Sequence, residues 1–296
     1  MKLRPGFVPA LGTPLDEEGN LVTESLRKHI DDQINAGAVG VLCMGSMGIE
    51  AFIRDDVYAE VARVAVEAAA GRVPVYVGAM DTSLARVKQR LAAVENLDIA
   101  GFVFTAPYYS PTNRTQMMNY FRGVASLTKH KVLLYDLPVV AQAKITLDMV
   151  RELIATVPNF GGIKSADTVM FRALKLDKSV PEDFVTVYSG LETFDIVYKW
   201  GIDNCLDGML SCTPKNTGRM FGAMAEGDYA TAAECLDNIV SLRDTFLAND
   251  LMPAFTVSMN LLGYEGNFHQ DYNNPPTPEA IANVHREMVR IGELDA

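Results

Sequence analysis

The chain has 296 residues, 49% of them hydrophobic and 8% aromatic, which is enough for one large folded unit and too apolar for a disordered one. Its formal charge of -11 and pI near 4.9 exclude the basic surface that nucleic acid or an anionic membrane would need, so neither is an expected partner. No apolar run approaches the roughly 18 residues of a membrane span, and nothing in the Met1 to Phe7 start reads as a secretory leader, so a cytoplasmic protein is expected.

Taken in chain order, apolar strand-like segments recur at Phe7 to Ala10, Val39 to Met44, Val73 to Gly78, Phe102 to Thr105, Val132 to Tyr135, Phe160 to Lys164, Val185 to Tyr188 and Cys205 to Leu210. Between them run helical stripes such as Val57, Val61, Val64 and Ala65, then Val87, Leu91 and Val94, at three- and four-residue steps. Strand and helix in alternation predict a parallel sheet, and eight units predict a closed (β/α)8 barrel, an α/β fold. After Ser211 the strand signal stops. Leu236, Ile239, Val240 and Phe246, then Ile281, Val284, Met288 and Ile291, predict helices, the last opening at Thr277-Pro278-Glu279 as cap and first-turn proline. The expected organisation is a barrel over residues 1–225 and a C-terminal helical extension over 226–296, packed as part of one domain.

Four cysteines, Cys43, Cys205, Cys212 and Cys235, lack paired metal-ligand spacing and are too few for a disulfide framework in a chain of this length. Four histidines include no helical pair, so no metal is expected.

Polar residues gather where the expected strands end, which in a barrel is one rim. They are Gly45-Ser46-Met47-Gly48, Pro107-Tyr108-Tyr109-Ser110-Pro111, Tyr135-Asp136-Leu137-Pro138, Lys164, Gly190 with Glu192, and Gly208 through Leu210 and Ser211. Lys164 follows Tyr135 by 29 residues, about one strand-helix-strand unit, so an amine and a phenol are expected side by side on neighbouring strands. That pairing suits imine chemistry. Singly, each residue has an ordinary structural explanation: a solvated lysine, a packed tyrosine, a glycine turn, a glutamate in the first turn of a helix.

The Gly45 to Gly48 loop, the Tyr108-Tyr109-Ser110-Pro111 stretch, the Tyr135 to Pro138 segment and the Gly162-Ile163-Lys164 segment, in this order, resemble the dihydrodipicolinate synthase and N-acetylneuraminate lyase family over nearly the whole chain. These are pyruvate-dependent class I aldolases and related lyases on a (β/α)8 barrel. The resemblance implies that Lys164 forms the imine with a 2-keto acid, with no external cofactor, and that Tyr135 shuttles protons. It implies that Ser46 joins a relay with Tyr135 and Tyr109, and that Tyr109 reaches a neighbouring subunit's site, commonly in a homotetramer. Substrate-binding positions are then Ser46, Met47, Gly190, Glu192, Leu210 and Ser211.

Several residues depart from the family pattern. Met47 stands where a second hydroxyl residue is usual, Ile49 stands where glutamate is expected with Glu50 one place later, and Asp136 replaces the common asparagine. Val139-Val140-Ala141 follows Pro138, where the synthases carry an arginine for the second substrate's carboxylate. That argues against dihydrodipicolinate synthesis. Glu192 lies where sialic-acid lyases hold sugar hydroxyls, so the expected substrates are pyruvate with a hydroxyaldehyde, or a 2-keto-3-deoxy sugar acid. Alternatives are a Schiff-base dehydratase or deaminase, a barrel binding phosphate or flavin through Gly190 and Gly208, and a noncatalytic binding protein.

Overall fold

The computed structural model describes residues 3–295. In chain order the elements are β1 (Gly6–Pro9), α1 (Thr23–Asn35), β2 (Val41–Cys43), α2 (Asp55–Ala69), β3 (Val75–Gly78), α3 (Leu84–Val94), β4 (Gly101–Thr105), α4 (Arg114–Ser126), β5 (Lys131–Tyr135), α5 (Pro138–Ala141), α6 (Leu147–Thr156), β6 (Phe160–Ser165), α7 (Thr168–Leu176), β7 (Val185–Tyr188), α8 (Phe194–Lys199) and β8 (Asn204–Asp207). Four further helices follow: α9 (Pro214–Glu226), α10 (Tyr229–Ala248), α11 (Leu251–Leu261) and α12 (Pro278–Arg290).

Every strand pair is parallel, in the order β1-β8-β7-β6-β5-β4-β3-β2. A bridge between Ala10 and Leu42 and a bond from the Val39 N–H to the Phe7 carbonyl at 2.9 Å join β1 to β2 and close the ring. The eight-unit barrel read from the sequence is therefore present, with helices outside it.

Three strands are shorter than the apolar runs suggested. Pro74 cannot donate to a ladder, so β3 begins at Val75. Met44 turns into the left-handed region at φ 55°, which ends β2. Past Asp207 the chain coils into a short 3₁₀ turn, where the Met209 N–H donates to the Asp207 carboxylate at 2.9 Å, so β8 does not reach Leu210.

Two apolar layers result from the alternation of strand side chains. Val8, Leu42, Val103, Leu133, Val187 and Leu206 fill the barrel, while Phe7, Cys43, Phe102, Leu134 and Ile163 face the helices. The helical stripes Val57, Val61, Val64 and Ala65, and Val87, Leu91 and Val94, are all buried in that outer layer. Leu236, Ile239, Phe246, Val284 and Met288 of the C-terminal helices join the same layer, so the extension and the barrel share one core. Thr277 caps α12 by accepting from the Ala280 N–H at 3.1 Å, with Pro278 in the first turn. Among the described residues no helix is long and apolar enough to cross a membrane.

Candidate active site

A one-residue irregularity in β6 sets the site. Val132 is level with Phe160, yet Leu133 is level with Gly162, so Gly161 is an extra residue and the inside–outside phase resets across it. Phe160 and Ile163 both face the helices, which turns Lys164 into the barrel. Glycine is required here: a Cβ on Gly162 would stand 2.5 Å from the Val185 carbonyl oxygen. Lys164 is level with Tyr135 on β5, and its Nζ lies 3.8 Å from the centroid of the Tyr135 ring. Both side chains are buried, at 5% and 8% exposure.

Thr105 of β4 is level with Tyr135 on the other side, and its buried hydroxyl has no hydrogen-bond partner among the described residues. A lone threonine closing an apolar strand carries no signal in a sequence, although its even spacing from Val103, which faces the barrel interior, would have predicted an inward side chain.

The loop after β2 presents Ser46 exposed and Met47 half-buried. Its shape is fixed from beneath. The Thr13 hydroxyl donates to the Gly48 carbonyl at 2.8 Å, and a Cβ at Gly78 would lie 1.7 Å from the Met44 carbonyl oxygen. Glu50 is 1% exposed and ion-paired with Arg90 of α3, which also pairs with Asp81 at 3.2 Å, so this acidic residue anchors the loop and does not face the mouth. Met47 reaches across to β8, where a Cβ on Gly208 would come within 1.9 Å of its Cγ.

The β7 and β8 ends form an acidic wall. Glu192 is ion-paired with Arg243 of α10, which also binds Asp244 at 3.0 Å. Burial works to raise the Glu192 carboxyl, but hydrogen bonds, including one from Arg243, hold it below its ordinary value. Burial pushes the Asp207 carboxyl up, opposed by the nearby Lys164 charge and the Met209 N–H. Asp207 and Arg243 escaped sequence reasoning. Asp207 is a polar residue ending an apolar strand, a readable signal, but Arg243 comes from a helix 51 residues beyond Glu192 and is placed by tertiary packing alone.

Other expected positions fall outside this cluster. Leu210 and Ser211 are fully buried beneath the rim, the Ser211 hydroxyl donating to the Gly208 carbonyl at 2.6 Å and its own carbonyl accepting from Gln33 at 2.8 Å. Gly190 backs onto the Tyr188 hydroxyl, 2.6 Å from where a Cβ would sit, and Gly208 is covered by Met47, so neither opens a phosphate cradle. Tyr109 is 87% exposed on the loop after β4 and does not join Tyr135 within one chain, whereas Tyr108 packs by Asp81, Arg86 and Arg90, burial raising its phenol. No group of three metal-ligating side chains is assembled among the described residues.

The Dihydrodipicolinate synthetase family profile matches residues 4–288. The chain is 31% identical over 244 residues to a 4-hydroxy-tetrahydrodipicolinate synthase of Azoarcus sp. (strain BH72), covering 80% of this chain and 81% of that protein. Among solved structures it is similar to YagE of E. coli K12, a prophage protein of the dihydrodipicolinic acid synthase family in complex with pyruvate, at TM-score 0.88 and 21% identity over 98% and 99% of the two chains. It is equally similar in fold to the N-acetylneuraminate lyase of Proteus mirabilis, at TM-score 0.88 and 19% identity over 99% and 100%. The chain belongs to the dihydrodipicolinate synthetase family, pyruvate-dependent class I aldolases and lyases that work through a lysine imine without an external cofactor.

Proposed function

We propose that the protein makes or breaks the carbon–carbon bond between pyruvate and a hydroxyaldehyde, with a 2-keto-3-deoxy sugar acid as the adduct. The juxtaposition of Lys164 and Tyr135 carries this reading. In the cleavage direction the Lys164 amine attacks the C2 carbonyl and water leaves, giving an iminium. Tyr135 takes the proton of the C4 hydroxyl, the C3–C4 bond breaks, the aldehyde departs, and the electron pair passes into an enamine. Protonation at C3 and hydrolysis then release pyruvate and the free amine.

Ser46 and the Met47 N–H are assigned to the keto-acid carboxylate, because the loop is preorganised and its serine is exposed. Glu192, oriented by Arg243, is assigned to the hydroxyls of the aldehyde portion. On α5, where a second carboxylate would need a cation, Val139 and Val140 are 85% and 50% exposed. This favours a neutral aldehyde over the dicarboxylate chemistry for which the Azoarcus relative is named.

The working form is assigned as a homotetramer in which Tyr109 completes the neighbour's site. Two separate apolar patches support this: Tyr109 itself, and Val169 with Leu176 on α7, at 76% and 69% exposure. Two distinct self-contacts are what a dihedral tetramer requires. Four buried, unpaired thiols fit a reducing cytoplasm.

Incubation with a panel of 2-keto-3-deoxy sugar acids tests the reaction. Equimolar pyruvate and aldehyde are expected. Loss of water or ammonia without pyruvate would replace aldol cleavage by dehydration or deamination on the same lysine.

A further inference from the structure

Directly after Tyr135, the Asp136 side chain turns out of the barrel and is 5% exposed. Its carboxylate binds three donors. The Ile145 N–H donates to Oδ1 at 3.0 Å, the Ser165 hydroxyl donates to Oδ2 at 2.8 Å, and the Lys144 ammonium is ion-paired with the same Oδ2. Ser165 directly follows Lys164, and the Asp136 N–H donates to the Lys164 carbonyl at 2.9 Å. The carboxylate therefore bridges β5 and β6 one residue past each member of the reactive pair.

Lys144 carries the bridge onward. It pairs with Asp167 at 3.0 Å, and Asp167 caps α7 by accepting from the Met170 N–H at 2.8 Å. The Asp167 N–H returns to the Ser165 hydroxyl at 3.1 Å. A buried carboxylate needs such partners, since an unpaired one is costly. Asp136 is buried and its oxygens are taken by three protein donors, so it is not free to bind the substrate.

We infer that Asp136, with Lys144, is a positioning residue that holds the Tyr135 ring and the Lys164 amine in register for imine formation; this rests on the reading of Lys164 given above. A small misplacement of reacting groups costs up to about 100-fold in rate. The strand-to-strand bonds do not require the charge, because an amide can still accept from Ile145 and donate to the Ser165 oxygen; only the Lys144 ion pair is lost, and Lys144 keeps Asp167 as a partner.

The test is the rate of borohydride-trapped pyruvyl adduct at Lys164, measured against pyruvate concentration in the full-length protein. Asp136→Ala is expected to lower the saturating rate about 10- to 100-fold, while the half-saturating pyruvate concentration stays within about threefold. Asp136→Asn is expected to recover most of the loss. Ser165→Ala, which removes the bonds to Asp136 and from the Asp167 N–H but leaves the carboxylate paired with Ile145 and Lys144, is expected to slow trapping less and serves if Asp136→Ala does not fold. Glu293→Ala is the control, because Glu293 is likewise buried, at 2% exposure, but its bonds run to Lys215 and Asn216 at the start of α9 and none to β5 or β6; it is expected to lower stability with an unchanged trapping rate. Parent-like trapping in Asp136→Ala, or in Ser165→Ala where the former is insoluble, would overturn the assignment. No adduct in the parent would remove the imine reading and this proposal together, whereas an adduct in the parent with an insensitive Asp136 would remove this proposal alone.

Discussion

Lys164 Nζ stands 3.8 Å from the centre of the Tyr135 ring, on neighbouring strands and in direct register, with both side chains nearly out of solvent. The amine is therefore placed against a phenol in a site where water competes little. Lys164→Ala is expected to abolish both turnover and pyruvate trapping. Tyr135→Phe keeps the packing ring and should lower kcat by about 100- to 10,000-fold, the usual range for a lost proton-transfer group. Circular dichroism and kinetics on both variants check this, and full activity in Tyr135→Phe would move the shuttle elsewhere.

The contact of Met47 with Gly208 joins the loop after β2, to which the keto-acid carboxylate is assigned above, to the end of β8. Gly208 has an ordinary helical backbone, φ -70°, so Gly208→Ala introduces no backbone strain and only drives the Met47 side chain aside. The melting temperature should change little, while KM for pyruvate should rise about tenfold, equivalent to about 1.4 kcal/mol. An unchanged KM would detach this loop from carboxylate binding.

Glu192 and Arg243 should govern the aldehyde and leave the imine alone. Glu192→Gln and Arg243→Ala are expected to lower kcat/KM for the polyhydroxylated substrate by about 10- to 200-fold, the equivalent of one to three kcal/mol of lost contacts. Trapping with pyruvate alone should proceed at the parent rate. Equal losses in both assays would place the pair in the general structure of the rim instead.

Acid sensitivity should be traceable to His29. The imidazole is fully buried in α1 against Tyr264, with Nε2 3.2 Å from the Ser211 carbonyl, and burial lowers its pKa from 6.5 to about 4. Between those values the unfolded chain binds a proton that the folded chain refuses, so stability falls as pH drops from 6.5 towards 4. The full contribution is of order 3 kcal/mol. Melting temperatures at pH 7.5 and 5.0 should differ less in His29→Gln than in the parent; an undiminished difference would assign the acid response to other groups.

The barrel was legible because parallel strands buried on both faces are continuously apolar and their helices keep a clean stripe. Lys164 and Tyr135 were legible for a related reason: each closes such a run, so their level was implied by strand length. What the sequence concealed depends on contacts between distant segments. Arg243 meets Glu192 only because α10 folds back over the rim. Ser211 looked like a rim residue, but the chain coils after Asp207 and buries its hydroxyl on the Gly208 carbonyl. Glu50 looked like a displaced member of the loop motif, and its partner Arg90 lies on another helix, so its anchoring role was invisible. Asp136 likewise meets Lys144 and Ser165 only through the fold, so its bridging contacts are not readable from the Tyr135 to Pro138 segment.

Mass spectrometry after mixing the parent protein with pyruvate and borohydride, followed by peptide mapping, addresses the imine most directly. One reduced pyruvyl adduct per chain, confined to the peptide carrying Lys164 and absent from Lys164→Ala, is the expected result. A folded protein that forms no adduct, or an adduct retained in Lys164→Ala, would contradict the assignment of Lys164 as the imine-forming residue.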